Sequence, residues 1–279
     1  MKAGAEAFIA NKGAPDAIAV TEEDKRIIDE VLFPYWNGKD FAPNFIKALP
    51  PESRHMSFGS EPSNVGVMQT FVIVSSSTMR HSQNWVIDFG KMLTRGCKGM
   101  REEAKARLAA LEDPRDLAFR KPFYEAAVIA CDALSLFARR YSALAAEMAA
   151  TTKDARRRKE LEEISATCAW VPENPARTFR EAIQAQWFTQ LFSRFEEMVG
   201  GQINSGRMDQ YLYPTYKKDV EEGRLTPEAA QELFQCLWLN TMQSTESQMS
   251  PALAKGRQGF SHHEELDPGT LYLHPARYP

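Results

Sequence analysis

One long apolar stripe constrains the fold of this 279-residue chain more than any other feature of its sequence. Between Pro122 and about Ala150, apolar or small residues recur every three or four positions, at 123, 127, 131, 134, 138, 141, 145 and 148. This spacing keeps one face of an α-helix buried along its whole length. The stripe therefore predicts a long core helix and favours a mainly helical fold.

Threonine cap signals mark the starts of further helices. Thr21 stands before a run of acidic residues, which suits the positive end of a helix dipole. Thr178 and Glu181 have the spacing of a capping box, and Thr226 precedes a proline at the first helical position. The best strand candidate is the β-branched stretch 65–75. The chain is thus predicted to contain several helices and few strands.

Composition excludes several classes of partner and site. The chain has 34 basic and 37 acidic residues, a balance that offers no cationic track for nucleic acid. No apolar run approaches the roughly 20 residues that span a bilayer, and no signal peptide is recognisable, so we expect no membrane contact and a cytoplasmic location. The four cysteines lack metal-ligand spacing, and the adjacent His262 and His263 point apart, so no metal site is predicted.

Several short motifs occur in a fixed order along the chain. They are Pro34-Tyr35-Trp36-Asn37-Gly38-Lys39, Asp88-Phe89-Gly90-Lys91-Met92-Leu93, Phe123-Tyr124-Glu125-Ala126, Ala138-Arg139-Arg140-Tyr141, Val171-Pro172 and Pro175-Ala176-Arg177-Thr178-Phe179-Arg180-Glu181-Ala182. The most specific motif follows them, Gly206-Arg207-Met208-Asp209-Gln210-Tyr211. Together these motifs resemble the glycyl radical enzyme family, the pyruvate formate-lyase-like group.

The resemblance implies a mainly α-helical fragment of an α/β glycyl radical enzyme barrel. Residues 1–265 would form a partial pyruvate formate-lyase-like domain, and residues 266–279 a divergent tail produced by truncation or a frame shift. The resemblance places neither the family's thiyl cysteine nor its radical glycine in this chain. We therefore expect no catalytic residue here, an inactive chain on its own, and one face of the aromatic helix 179–199 left without a partner.

The family also implies cofactors and partners. No cofactor would be bound, because the family stores its radical on a glycine of the full-length enzyme, where a radical-SAM activase installs it. The expected partners are a small organic substrate, that activating enzyme, a second copy in a full-length homodimer, and small accessory subunits.

Two groups of site residues follow from the resemblance. The substrate-binding group comprises Gln83, Asn84, Trp85, Gln202 and Asn204. The structural motif comprises Gly206, Arg207, Asp209, Gln210 and Tyr211. A glycine beside an arginine and an aspartate suits a close turn in which a carboxylate holds the guanidinium.

The substrate-binding group suggests a reaction class. Amides cannot move a proton at neutral pH, whereas a tryptophan offers a flat apolar wall. This favours a substrate activated by hydrogen abstraction alone, and so an alkyl- or arylalkylsuccinate synthase that joins a hydrocarbon to fumarate. The alternatives are an arylacetate decarboxylase, a C–O or C–N lyase of the dehydratase or choline lyase type, and, in another class, a non-catalytic helical module.

Overall fold

The computed structural model describes residues 21–39, 44, 47, 50–53, 84–196 and 202–243. The chain divides into two compact units. One contains Met1–Asn84, Glu197–Gln202 and Thr245–His263, and the other, larger unit contains Trp85–Glu196, Ile203–Ser244 and Glu264–Pro279. The predicted strand 65–75 and the predicted tail 266–279 lie outside the described residues.

The described part of the smaller unit begins with the helix predicted from Thr21. The Thr21 hydroxyl accepts from the Asp24 amide at 3.1 Å, and the Asp24 carboxylate accepts from the Thr21 amide at 2.8 Å. Helix α1 (Glu22–Ile27) is followed by a π-helical turn (Ile28–Leu32), helix α2 (Phe33–Trp36) and a 3₁₀ turn (Pro51–Ser53). The capped start is confirmed, and helical turns continue to Trp36.

The described elements from residue 84 onward are helices and a pair of short strands, and except for the first strand residues Asn84 and Gln202 they belong to the larger unit. In chain order they are β1 (Asn84–Val86), α3 (Phe89–Ala109), α4 (Pro114–Phe119), α5 (Lys121–Thr151), α6 (Ala155–Trp170), α7 (Phe179–Glu196), β2 (Gln202–Asn204), α8 (Met208–Tyr211), α9 (Tyr213–Glu221) and α10 (Pro227–Gln243). The two strands pair with each other. The mainly helical character is confirmed for the described residues. None of the helices described is long and apolar enough to cross a bilayer.

Helix α7 is the central helix of this unit, contrary to the expectation that one of its faces would lack a partner. It packs against α3, α5, α6, α9 and α10. Between Phe179 and Gln190, only Arg180 is exposed. Among the described residues, α5 instead exposes large apolar side chains, including Ile129 and Leu136. The stripe predicted the buried face of α5 correctly at Cys131, Leu134, Ala138 and Ala145, but three other members, Phe123, Tyr141 and Met148, are exposed.

The start of α7 is held by its own cap and by α9. The Thr178 hydroxyl accepts from the Glu181 amide at 3.2 Å, as the capping box predicts. The Glu181 carboxylate turns instead to Arg177, whose backbone amide donates to it at 2.7 Å. The Phe179 amide donates to the buried Asp219 carboxylate of α9 at 2.7 Å. This bond joins the central helix to the segment that follows the second strand.

Helix α3 is broken at Gly96, and the segment after α6 fits into the break. Gly96 adopts φ 63° and ψ 175°, a left-handed backbone that favours glycine. The Cys97 amide donates to the Pro172 carbonyl at 2.8 Å. A β-carbon on Gly96 would lie 2.5 Å from the Glu173 carbonyl oxygen, so only glycine fits. We call this contact the Gly96 joint.

The Glu173 carboxylate fastens the Gly96 joint to two helices. It accepts from the Arg101 guanidinium of α3 at 2.6 Å and from the Ser135 hydroxyl of α5 at 2.5 Å. Burial by itself would raise the pKa of Glu173, but the hydrogen bonds from Ser135 and Arg101 outweigh it and lower the pKa. The carboxylate is therefore charged at neutral pH and holds α3, α5 and the inserted segment together.

The Gly96 joint makes a prediction about stability. Gly96→Ala should lower the free energy of unfolding by about 2–4 kcal/mol, because its methyl group must displace backbone and its φ is strained. Gly90→Ala is the matched control in the same helix, since its methyl group would meet its nearest atoms at 3.5 and 3.8 Å. It should change stability by less than about 1 kcal/mol. Urea unfolding followed by circular dichroism measures both, and equal effects would contradict the close-approach explanation.

Candidate functional site

The strand pair brings together most of the predicted substrate-binding residues. Asn84 and Trp85 belong to β1, and Gln202 and Asn204 belong to β2, the strand paired with it. Sequence segments far apart along the chain therefore meet in one sheet. Gln83 lies outside the described residues, as do the side chains of Asn84, Trp85 and Gln202.

Asn204 has a buried side-chain oxygen that lacks a hydrogen bond. Its Oδ1 atom has no partner within the described part of the chain. Its neighbours Ile203 and Ser205 are buried, and successive side chains on a strand point to opposite faces. A buried acceptor left unpaired costs about 1–3 kcal/mol. The arrangement thus provides an acceptor that a bound molecule with an O–H or N–H group could satisfy.

A close turn at Gly206 follows β2 and touches β1. Gly206 has φ 61°, and a β-carbon there would lie 2.9 Å from the Val86 Cγ1 atom of β1. The predicted need for glycine at this position therefore has two physical causes, the backbone conformation and the contact with the neighbouring strand. We call residues 205–211 the Gly206 turn.

Tyr211 closes the Gly206 turn onto the strand and onto α3. Its hydroxyl donates to the Ser205 carbonyl at 2.7 Å. Its ring lies 5.6 Å, centroid to centroid, from the ring of Phe89 at the start of α3. Burial, helped by the charge of Asp209, raises the pKa of Tyr211. The hydroxyl therefore stays protonated and acts as a hydrogen-bond donor.

Arg207 and Asp209 form an ion pair inside the Gly206 turn. The guanidinium Nε and Nη2 atoms donate to the two Asp209 carboxylate oxygens at 2.9 and 2.7 Å. This bond lowers the pKa of Asp209. Both side chains reach solvent, and the Gln210 side chain is exposed as well. The pair links the residue before α8 to the first turn of that short helix.

Gln186 is a buried polar residue that the sequence reasoning missed. It lies in the middle of α7, is fully buried, and neither its Nε2 nor its Oε1 atom has a partner among the described residues. It continues the helix face that Phe179 and Ile183 begin, because the spacings are four and three residues. The many aromatic residues of α7 indicated a buried helix but did not single out Gln186. The signal that could have identified it was a glutamine on the helix face that Phe179 and Ile183 begin.

The cysteines lie in the helical part of the unit. Cys97, Cys131 and Cys168 share one buried cluster formed by α3, α5 and α6 with α7, and Cys236 is exposed on α10. In the described ranges, no group of three or more histidine, cysteine, aspartate or glutamate side chains could hold a metal ion.

Comparisons with known proteins agree on one family. The model of the pyruvate formate lyase-like family matches residues 3–264. An isethionate sulfite-lyase of Oleidesulfovibrio alaskensis is 44% identical over 252 residues, which are 90% of this chain and 30% of that protein. A trans-4-hydroxy-L-proline dehydratase of Clostridioides difficile is 30% identical over 79% of this chain and 27% of that protein.

A solved structure gives the same result for the fold. The structure concerns 1,2-propanediol dehydration in Roseburia inulinivorans, and it matches with a TM-score of 0.67 and 32% identity. The match covers 93% of this chain and 30% of that one. This chain thus spans about 30% of the length of the proteins it resembles.

The predicted succinate synthase is wrong. The relatives named above are a sulfite-lyase and dehydratases, which break C–S or C–O bonds rather than joining a hydrocarbon to fumarate. The same relatives overturn the assignment to the alkyl- or benzylsuccinate synthase subgroup. Amide side chains do not favour a hydrocarbon substrate over an alkanesulfonate. They exclude only reactions whose leaving group must be protonated, and a leaving sulfite is too weak a base to need protonation.

The contact between Gly206 and Val86 can be tested with a matched pair of glycines. Gly206 and Gly223 have φ values of 61° and 69°, but a β-carbon on Gly223 would meet nothing within 4 Å. Each alanine variant should lose about 1–2 kcal/mol for the left-handed backbone. Gly206→Ala should lose about 1–3 kcal/mol more, because its methyl group overpacks against β1.

A double variant isolates this contact. Val86→Ala removes the Cγ1 atom that the new methyl group would strike, and it should cost little because Val86 is 60% exposed. The combined Gly206→Ala and Val86→Ala variant should therefore regain most of the additional loss in urea unfolding. Additive losses in the double variant would show that the turn and β1 are not in contact.

Proposed function

We propose a function on the premise that this chain belongs to the pyruvate formate lyase-like family, as its match over residues 3–264 shows. The fold of the family is that of the glycyl radical enzymes. Within such an enzyme, we propose that the chain supplies substrate-binding strands for a lyase that releases sulfite from a hydroxyalkanesulfonate such as isethionate.

Sequence similarity carries this choice of substrate. The sulfite-lyase of Oleidesulfovibrio alaskensis is 44% identical to this chain over 252 aligned residues, whereas the hydroxyproline dehydratase is 30% identical over 223. Both alignments include the strand pair and the Gly206 turn within a match that covers most of the chain. The higher identity favours the C–S lyase over the C–O lyase.

The chemistry of the described site fits this substrate class. Isethionate is 2-hydroxyethanesulfonate, so it has one hydroxyl donor and three sulfonate oxygens that only accept at neutral pH. The unpaired Oδ1 atom of Asn204 is an acceptor and needs a donor. We therefore assign this atom to the substrate hydroxyl. A leaving sulfite needs no general acid, so an amide is sufficient at this position.

The family implies a glycyl radical, which we do not assign to any described residue of this chain. A glycyl radical of the enzyme supplies hydrogen abstraction when it is present. The described residues hold and orient the substrate instead, through Asn204 and the fixed strand pair. We propose that a radical-SAM activating enzyme is a partner, together with a second copy in the full-length homodimer.

A dehydratase is the second candidate function. It is supported by the 32% identity and TM-score of 0.67 to the structure concerned with 1,2-propanediol dehydration. A dehydratase expels hydroxide, which is a strong base, so its pocket should provide a proton donor close to the leaving oxygen. The described polar side chain of β2, the Asn204 amide, cannot act in this way. The sulfite-lyase therefore remains the first choice.

A chimeric enzyme tests the proposed reaction. Residues 3–264 of this chain would replace the corresponding segment of the Oleidesulfovibrio alaskensis sulfite-lyase, which the alignment defines. The activated chimera should release sulfite from isethionate and should not dehydrate 1,2-propanediol. The reverse pattern would overturn the proposal in favour of a dehydratase. The electron paramagnetic resonance doublet of the glycyl radical provides the control, because its absence identifies a chimera that has not folded or been activated.

Asn204 can be tested in the same chimera. Asn204→Ala should lower kcat/KM for isethionate by about 10- to 100-fold, the effect of losing one buried hydrogen bond of 1–3 kcal/mol. Asn240→Ala is the matched control, because that exposed amide donates to the Cys236 carbonyl on α10. It should leave kcat/KM unchanged. Equal values for the wild-type chimera and Asn204→Ala would remove Asn204 from the substrate site.

A further inference from the structure

Two cysteines, Cys97 of α3 and Cys131 of α5, lie in one buried cluster between these helices. Cys97 precedes Arg101 by one helical turn, and Cys131 precedes Ser135 by one turn, so each cysteine shares a helix face with its partner. Arg101 and Ser135 converge on the Glu173 carboxylate at 2.6 and 2.5 Å. Two residues that meet at one carboxylate bring the preceding turns together. The two cysteines accordingly belong to one buried cluster.

The surroundings of the two thiols differ. Cys97 has no exposed surface, whereas Cys131 keeps 7% of its surface exposed. The hydrogen bond from Cys97 lowers the pKa of Cys131, burial opposes this, and the charge of Arg101 adds to the lowering. The same interaction with Cys131, together with burial, raises the pKa of Cys97. Cys131, which is both the partly exposed thiol and the one whose pKa is lowered, is therefore the member of the pair that ionises more readily.

The third cysteine of the cluster provides a contrast. Cys168 of α6 is also buried, at 3% exposure, and burial raises its pKa to about 11. It is therefore a protonated thiol at neutral pH. Because a thiolate reacts with oxidants and a thiol does not, burial alone does not decide which member of the cluster is reactive.

We propose that Cys97 and Cys131 form a site of reversible thiol oxidation, at which a peroxide converts the two thiols into a disulfide between α3 and α5. Cys131 gives up its proton, its thiolate attacks one peroxide oxygen, the O–O bond breaks, and the leaving hydroxide takes up the released proton as water. Cys131 is then a sulfenic acid. The Cys97 sulfur attacks this sulfur, the S–O bond breaks, and the departing hydroxide takes the Cys97 proton as water. Two thiols lose two electrons, and one hydrogen peroxide becomes two waters.

The position of the disulfide gives it a structural consequence. Cys97 is the first residue after the break at Gly96, and its amide holds the Pro172 carbonyl at 2.8 Å. A covalent bond from this residue to α5 would fix the Gly96 joint to the longest helix. A cross-link also restricts the unfolded chain, so the oxidised protein should unfold at a higher temperature than the reduced one.

Peptide mapping tests the pairing. The full chain carrying Cys236→Ser, which removes the exposed thiol, would be prepared reduced, treated with hydrogen peroxide and digested without reduction. We expect one linked peptide joining Cys97 to Cys131, about 2 Da lighter than the sum of its parts and cleaved by dithiothreitol. A linkage through Cys168, or equal linkage in chain unfolded by guanidinium, would overturn the proposal.

Matched variants and a variant-free measurement complete the test. Cys168→Ser should leave the Cys97–Cys131 linkage intact, whereas Cys131→Ser should leave Cys97 unoxidised. In the unmodified folded chain, iodoacetamide at neutral pH should alkylate Cys131 faster than Cys168, although both are buried. Equal alkylation rates would show that no thiolate is stabilised at Cys131 and would refute the assignment even if a variant fails to fold.

Discussion

Insertion of the segment after α6 into the break of α3 is the contact on which the larger unit depends. The segment can enter only because Gly96 has no side chain, since a β-carbon would lie 2.5 Å from the Glu173 carbonyl oxygen. Its carbonyls then accept the Cys97 and Lys98 amides, which the break leaves without helical partners. Glu173 adds a charged anchor to α3 and α5. The position of α7, which begins at Phe179, five residues after Asn174, follows from this contact.

The same helix connects the Gly96 joint to the candidate site. Asp88 caps α3 by accepting from the Lys91 amide at 2.9 Å, which fixes the end of the helix next to β1. Phe89 and Gly90 lie against Tyr211, and the Tyr211 hydroxyl holds the Ser205 carbonyl next to Asn204. Gly206 then brings the turn against Val86 of β1. These contacts are short and leave little space, so Asn204 is positioned by packed backbone rather than by a loop.

Sequence patterns predicted the elements of this unit better than the joints between them. Helical periodicity located α5, and threonine caps located α1, α7 and α10, because these signals depend on neighbours along the chain. The break at Gly96 depends on the segment around Pro172, which is remote in sequence, and Gly99 nearby stays helical. The burial of α7 likewise depends on five helices that surround it. The family resemblance placed the segments of Asn84 and Trp85 and of Gln202 and Asn204 at one pocket, but the pairing of the two strands was not predicted.

The amide side chains named as substrate-binding residues do not by themselves distinguish the predicted reaction from the one that the relatives favour. An amide can orient a hydroxyl but cannot protonate a leaving group, so it excludes reactions that expel hydroxide without help. Hydrocarbon activation and sulfite release both satisfy this condition, and the described amides do not distinguish them by proton transfer. In the proposed site they would differ in hydrogen bonding, because a hydrocarbon offers no donor to the Asn204 oxygen, which has no partner among the described residues, whereas a hydroxyalkanesulfonate offers a hydroxyl. This criterion needed the burial of the Asn204 oxygen, which the sequence alone does not contain.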